Sequence, residues 1–262
     1  MVYNSDLDRP NELIYAILTA DLTPAQLSAV HEKFGLGANL LSPYPGYQLF
    51  ITDKRSWACL SHLDMWHKTP HHDDKPGYFP LIVIDAETPN DGAVWYIERI
   101  ATQEDVDNGL AESTNTLYKV RMELANITIS FVNLAIANTD IGECMDSAGI
   151  PRLVPDDFTQ DTPYAVGFDY IKDRYINPTR VVVEPEEMEE SRDEEALRTF
   201  LPRPKVVYRL KEGVARANGL QVNWAIGSDK QDDKFPEGSK ILQVRYDPER
   251  VVPKYKKPEG SL

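Results

Sequence analysis

Four of the five histidines, His62, His67, His71 and His72, fall between positions 62 and 72, with Asp64, Asp73 and Asp74 in or beside that stretch. Imidazole and carboxylate ligate zinc and related divalent ions, so His67, His71, His72 and Asp73 are the candidate metal ligands. Their spacing opposes a zincin-type pair. His67 and His71 are four apart, but Pro70 stands between them and prevents the shared helical face such a pair requires. A polar loop after a helix C-terminus, where histidine is favourable against the dipole, is the plainer expectation.

A second set of candidates is carboxylates. Asp85 and Glu87 directly follow the apolar run Phe79-Pro80-Leu81-Ile82-Val83-Ile84. Two acids two apart at a strand end resemble the first acidic motif of the DEDD-type exonucleases, where such residues help to hold a metal pair. Gly167-Phe168-Asp169 could stand as a second motif, but the later Tyr or His with an Asp four residues on is missing. Asn138 and Asp140 complete the weak catalytic candidates, and a helix cap is the plainer reading of them. Ser147 lacks the first glycine of a nucleophile elbow, and Gly35-Leu36-Gly37 follows a helix and lacks a third glycine. No Walker lysine motif occurs, and no cofactor is predicted.

The elements that must position these residues are read from periodicity. Residues 12–20 suit a buried strand. Thr23 and Pro24 suit a helix start, with Leu27, Val30 and Phe34 at helical spacing before Gly35. Residues 47–52 read as a strand and 54–67 as an amphipathic helix. Residues 81–84 read as a strand buried on both faces, joined through Pro89-Asn90-Asp91-Gly92 to a hairpin partner over 93–100. Residues 101–115 read as a polar loop, 117–124 and 127–137 as two further strands, and a short helix runs to Ser147 with Gly149 as its stop. Trp95-Tyr96 and Tyr164, Phe168, Tyr170 and Tyr175 are read as core, or as the lining of an apolar pocket.

The chain has 262 residues and a formal net charge of −14, which opposes nucleic acid and anionic membrane as partners. The charge is uneven, since residues 196–262 carry 14 basic and 8 acidic residues. Cys59 and Cys144 lack any CxxC spacing and read as small apolar groups. No secretory signal and no apolar run near the roughly 20 residues of a membrane helix is visible, so a soluble, cytoplasmic protein is expected.

Residues 13–150 resemble an uncharacterised family, a domain of unknown function found in bacteria and some fungi. The resemblance rests on Leu13 to Asp21 followed by Thr23, on Leu49-Phe50-Ile51-Thr52-Asp53-Lys54, on Leu81 to Asp85, and on Asn133-Leu134-Ala135-Ile136-Ala137-Asn138-Thr139-Asp140. It implies a compact α/β domain with Asn138 and Asp140 at a helix start, and it implies no activity.

The expectation is therefore an α/β (or α+β) layered core sheet with flanking helices over 12–150. An irregular connection spans 151–183, an acidic linker or charged helix 184–197, and a β-rich extension 198–262. The expected function is that of a non-catalytic binding or accessory protein for a small molecule or a protein. The alternative is a cofactor-free or metal-assisted enzyme acting on a small molecule, of the kind found in fungal secondary metabolism. The two part on whether Asp85 and Asn138 project from one edge of the sheet, where α/β proteins bind ligands.

Overall fold

The computed structural model describes residues 2–4, 12–41, 46–69, 80–229, 234–251 and 254–262. These form an α/β fold in two compact bodies. The smaller takes its described residues from Met1–Asn11, Asn39–Gly46 and Asp169–Pro253, the larger from Glu12–Ala38, Tyr47–Phe168 and Lys254–Leu262. The division expected near residue 150 comes at 168/169 instead, and 254–262 belong to the larger body rather than to a C-terminal extension. No helix of the described residues is long and apolar enough to cross a membrane.

Strand β1 (Tyr3–Asn4) belongs to the smaller body. Then come β2 (Glu12–Leu18), α1 (Pro24–Leu41), β3 (Tyr47–Asp53), α2 (His62–Lys68), β4 (Leu81–Ile84), α3 (Thr88–Asp91) and β5 (Ala93–Ile100). After these follow α4 (Gln103–Asp107), β6 (Leu117–Glu123), α5 (Ile127–Ala135) and α6 (Ile141–Ser147). The sheet of the larger body has the order β3-β2-β4-β5-β6; β2 is parallel to β3 and β4, and β4, β5 and β6 alternate in direction. Every residue of β4 is buried, because its side chains alternate between two apolar layers. Ile82 and Ile84 enter the main core with Phe34, Tyr96, Val120 and Met122, whereas Leu81 and Val83 meet Met65 and Ile97 on the other face.

Both sheet edges are covered by irregular chain, which removes unpaired strand groups from solvent. Along β6, the Arg121 amide donates to the Gln160 side chain at 2.7 Å, and Tyr164 exchanges backbone bonds with Arg121 and Glu123. Along β3, the Leu49 amide donates to the Tyr255 hydroxyl at 2.7 Å and the Ile51 amide to the Ser261 hydroxyl at 2.9 Å.

Several local expectations are corrected. Helix α1 does not stop at Gly35 but continues through it to Leu41, because the two glycines serve close packing rather than termination. A methyl group at Gly37 would stand 1.7 Å from the Ala125 carbonyl oxygen, and one at Gly35 would meet the Tyr255 side chain at 2.5 Å. Residues 127–135 are helix rather than strand. Their β-branched run is local preference, but Ile127 and Leu134, seven apart, enter the main core from one helix face. The expected helix over 54–67 is a 3-10 turn at Arg55–Trp57 followed by α2, whose start is capped by the Ser61 hydroxyl. The loop at 101–115 holds α4, closed by a Thr102–Asp105 capping box. Cys144 is buried as expected of a small apolar group, but Cys59 is exposed.

The smaller body contains β7 (Thr179–Val183), β8 (Met188–Ser191), α7 (Glu194–Leu197), β9 (Val207–Leu210), α8 (Glu212–Ala217), β10 (Ser228–Asp229) and β11 (Lys240–Val244). Its sheet runs β1-β7-β11-β10, all antiparallel, over a core including Val181, Val183, Leu242 and Val244. The acidic run expected as linker or charged helix contains β8, which pairs with β9. Cross-strand attraction offsets repulsion there: Arg209 bonds Glu189 at 2.8 Å.

Candidate functional site

The chemistry-bearing feature of the larger body is one strand, β6. Its residues Leu117-Tyr118-Lys119-Val120-Arg121-Met122 are all buried, although they alternate in type. Tyr118, Val120 and Met122 enter the main core, so Leu117, Lys119 and Arg121 project from the opposite face, beneath α2. Two cations are thereby placed inside: Lys119 is 6% exposed and Arg121 is 5% exposed. Burying a charge without compensation is costly, so the question at each is what answers it.

Arg121 is fully answered. Its guanidinium bonds both Asp85 oxygens at 2.8 and 3.1 Å and both Asp91 oxygens at 2.5 and 3.1 Å. Burial pulls its pKa down, but the two carboxylates outweigh that and hold it above the ordinary arginine value. Burial likewise acts to raise Asp85, and the Arg121 donors overcome it and keep the carboxyl below its usual range. Asp85 also accepts from the Glu87 and Thr88 amides at 3.1 and 3.0 Å, which anchors α3. Asp85 is thus an ion-pair and turn residue with its lone pairs engaged.

Lys119 is answered only in part. Its ammonium lies 3.4 Å from His62 Nδ1, 5.1 Å from the centre of the Trp95 ring and 5.0 Å from that of Phe158. Among the described residues, no carboxylate lies within ion-pair distance of it. Burial lowers the lysine pKa, opposed by the more distant Asp157 charge. Burial, followed by the Lys119 charge, pushes His62 down to about 4, so the ring is neutral at physiological pH and accepts a hydrogen bond from the ammonium. His62, Trp95 and Phe158 around it are half-buried.

The sequence candidates are dispersed. Glu87 is exposed and accepts from the Asn90 side chain. Asp140 caps α6 by accepting from the Glu143 amide at 3.0 Å, and Asn138 donates to Asn133. A cavity of about 460 Å³ lies beside Asp140, lined also by Glu98, Tyr118, Glu143, Asp146 and Arg152. The strand register places Glu98 and Tyr118 toward the Ile100–Leu117 end of the sheet, whereas Asp85 stands at the Ala93–Glu123 end. Asp85 and Asp140 therefore occupy opposite ends and opposite faces of the sheet.

His67 is exposed in the last turn of α2, and His71, His72 and Asp73 lie outside the described residues. Among the described residues, no three His, Cys, Asp or Glu groups converge to hold a metal. Of the flagged aromatics, Tyr96 is core and Trp95 joins the Lys119 group. Lys119 and Arg121 were not legible as site residues, because cations alternating with apolar residues look like a solvated strand face.

In comparisons with protein-family models, curated proteins and solved structures, nothing matched the chain. The likeness of residues 13–150 to an uncharacterised family thus rests on its short strings alone.

Proposed function

We propose that the protein is a non-catalytic binding protein for a small organic anion with a flat apolar part, received beside Lys119. The observation that carries this reading is a buried ammonium that no carboxylate of the described residues answers. An incoming carboxylate would supply the missing counter-charge, and a hydrogen bond between charged groups is worth about 1.5–3 kcal/mol. Trp95 and Phe158 offer ring faces for the apolar part. The net charge of −14 opposes large polyanions such as nucleic acid, but one small anion meets a local field set by Lys119.

Titration of the purified protein with benzoate, followed by tryptophan fluorescence, tests the proposal. Saturable binding is expected, weakened about tenfold or more in Lys119→Met and unchanged in the exposed control Lys205→Met. Equal affinity in Lys119→Met and the unaltered protein would overturn it.

A further inference from the structure

We infer that Lys119 is a carbonyl-reactive amine, so that the ligand class favoured at this site is a small aldehyde or ketone that also bears a carboxylate. The inference rests on the anion-binding reading above and deepens it. Three geometric facts support it. Lys119 is only 6% exposed, and removal from water disfavours its charged form, opposed by the Trp95 and Phe158 rings, whose centres lie 5.1 and 5.0 Å from the nitrogen and attract a cation. Among the described residues no carboxylate stands within ion-pair range to hold the proton on the nitrogen. A neutral imidazole nitrogen lies 3.4 Å away, suited to carry that proton.

The groups facing Lys119 are His62 from α2, Trp95 from β5, and Phe158 and Asp157 from the segment along the β6 edge, with Arg121 and Asp85 one step further along the sheet. Arg121 is already taken by two carboxylates and cannot compete for a ligand. Burial acting on Lys119 outweighs the Asp157 charge and holds its pKa below the ordinary lysine value.

The step balances without an oxidant or reductant. The lone pair of neutral Lys119 Nζ forms a bond to the carbonyl carbon while the carbon–oxygen π pair moves to oxygen, which takes a proton from solvent. His62 removes a proton from the nitrogen. The resulting carbinolamine then loses its hydroxyl as water, with the proton supplied by the imidazolium and the nitrogen lone pair forming the new π bond, and a protonated carbon–nitrogen double bond (an iminium) remains.

The test uses the full chain at pH 7.5 with 4-carboxybenzaldehyde followed by borohydride, read by peptide mass mapping. Terephthalate, which keeps carboxylates but has no aldehyde, is titrated in parallel. The expected result is an adduct on Lys119 formed at least tenfold faster than on the exposed lysines. In His62→Gln the rate at Lys119 should fall about tenfold or more, a general-base effect, while labelling of exposed lysines stays the same. Lys119 labelling no faster than that of exposed lysines overturns the inference; if terephthalate still binds saturably, the anion-binding reading survives that failure. Failure of terephthalate to bind overturns the anion-binding reading instead, whichever way the adduct falls.

Discussion

The two faces of the five-stranded sheet solve burial in different ways, and β6 shows both within seven residues. On the side of α1, α5 and α6, Tyr118, Val120 and Met122 join an apolar layer with Phe34, Tyr96 and Ile127. On the α2 side, Leu117 joins Met65 and Ile97, but Lys119 and Arg121 take the alternate positions. The first face is stabilised by apolar area removed from water. The second holds charges whose desolvation must be offset by partners, and it succeeds for Arg121 and falls short for Lys119. That incomplete offset at Lys119 is the feature on which the proposed ligand site rests.

That contrast can be broken along one strand. The largest effect is expected for Arg121→Ala, which leaves Asp85 and Asp91 facing each other without their shared cation; a loss of about 3–5 kcal/mol is expected in urea unfolding. A loss below about 1 kcal/mol would mean that the pair is as weak as an exposed one. Next comes Met122→Ala on the apolar face, at about 2–5 kcal/mol for a cavity in a fully packed layer.

The pH dependence sharpens the comparison on the charged face. His62 is held neutral in the fold, with a pKa lowered from 6.5 to about 4. The unfolded chain therefore binds a proton first, and the stabilising contribution is present above pH 6.5 and lost as pH falls toward 4. The slope it adds is at most about 1.4 kcal/mol per pH unit. Asp85, also depressed, acts in a lower window: its contribution is present above the ordinary carboxylate pKa and disappears as pH falls through its folded value. Unfolding followed downward from pH 7 to below pH 4 should flatten between 6.5 and 4 in His62→Gln and keep its acid limb below 4. An unchanged slope between 6.5 and 4 would assign that window to other groups.

The smallest effect on stability is expected at Lys119. Lys119→Met, which fills similar space without charge, should leave the unfolding free energy unchanged or slightly raised, because replacing an incompletely answered buried charge by an apolar group is often neutral or stabilising. Loss of benzoate binding alongside retained stability separates a ligand site from a structural cation. A drop of more than about 1 kcal/mol would make Lys119 part of the scaffold.

Strand β4 was legible because Leu81 to Ile84 have no polar residue to send to solvent, and the start of α1 was legible because Thr23 and Pro24 are local signals. The Thr23 hydroxyl does accept from the Gln26 amide at 3.3 Å. Residues 127–135 misled because β-branched preference is weak beside the packing of Ile127 and Leu134 against the sheet. Gly35 and Gly37 misled because a glycine needed for close approach looks the same in sequence as one that ends a helix. Asp85 was singled out for its place after a buried strand, but its role came from Arg121, which is 36 positions away.

By itself the sequence determined the acidic balance, the apolar runs that become inner strands, and the capped start of α1, since each depends on residues within a few positions of one another. Only the tertiary structure decided which face of β6 meets α2, and with it the burial of Lys119 and Arg121. Whether a charge sits in water or beneath a helix depends on what chain is laid over it, and here Lys119 is met by His62 from 57 residues earlier.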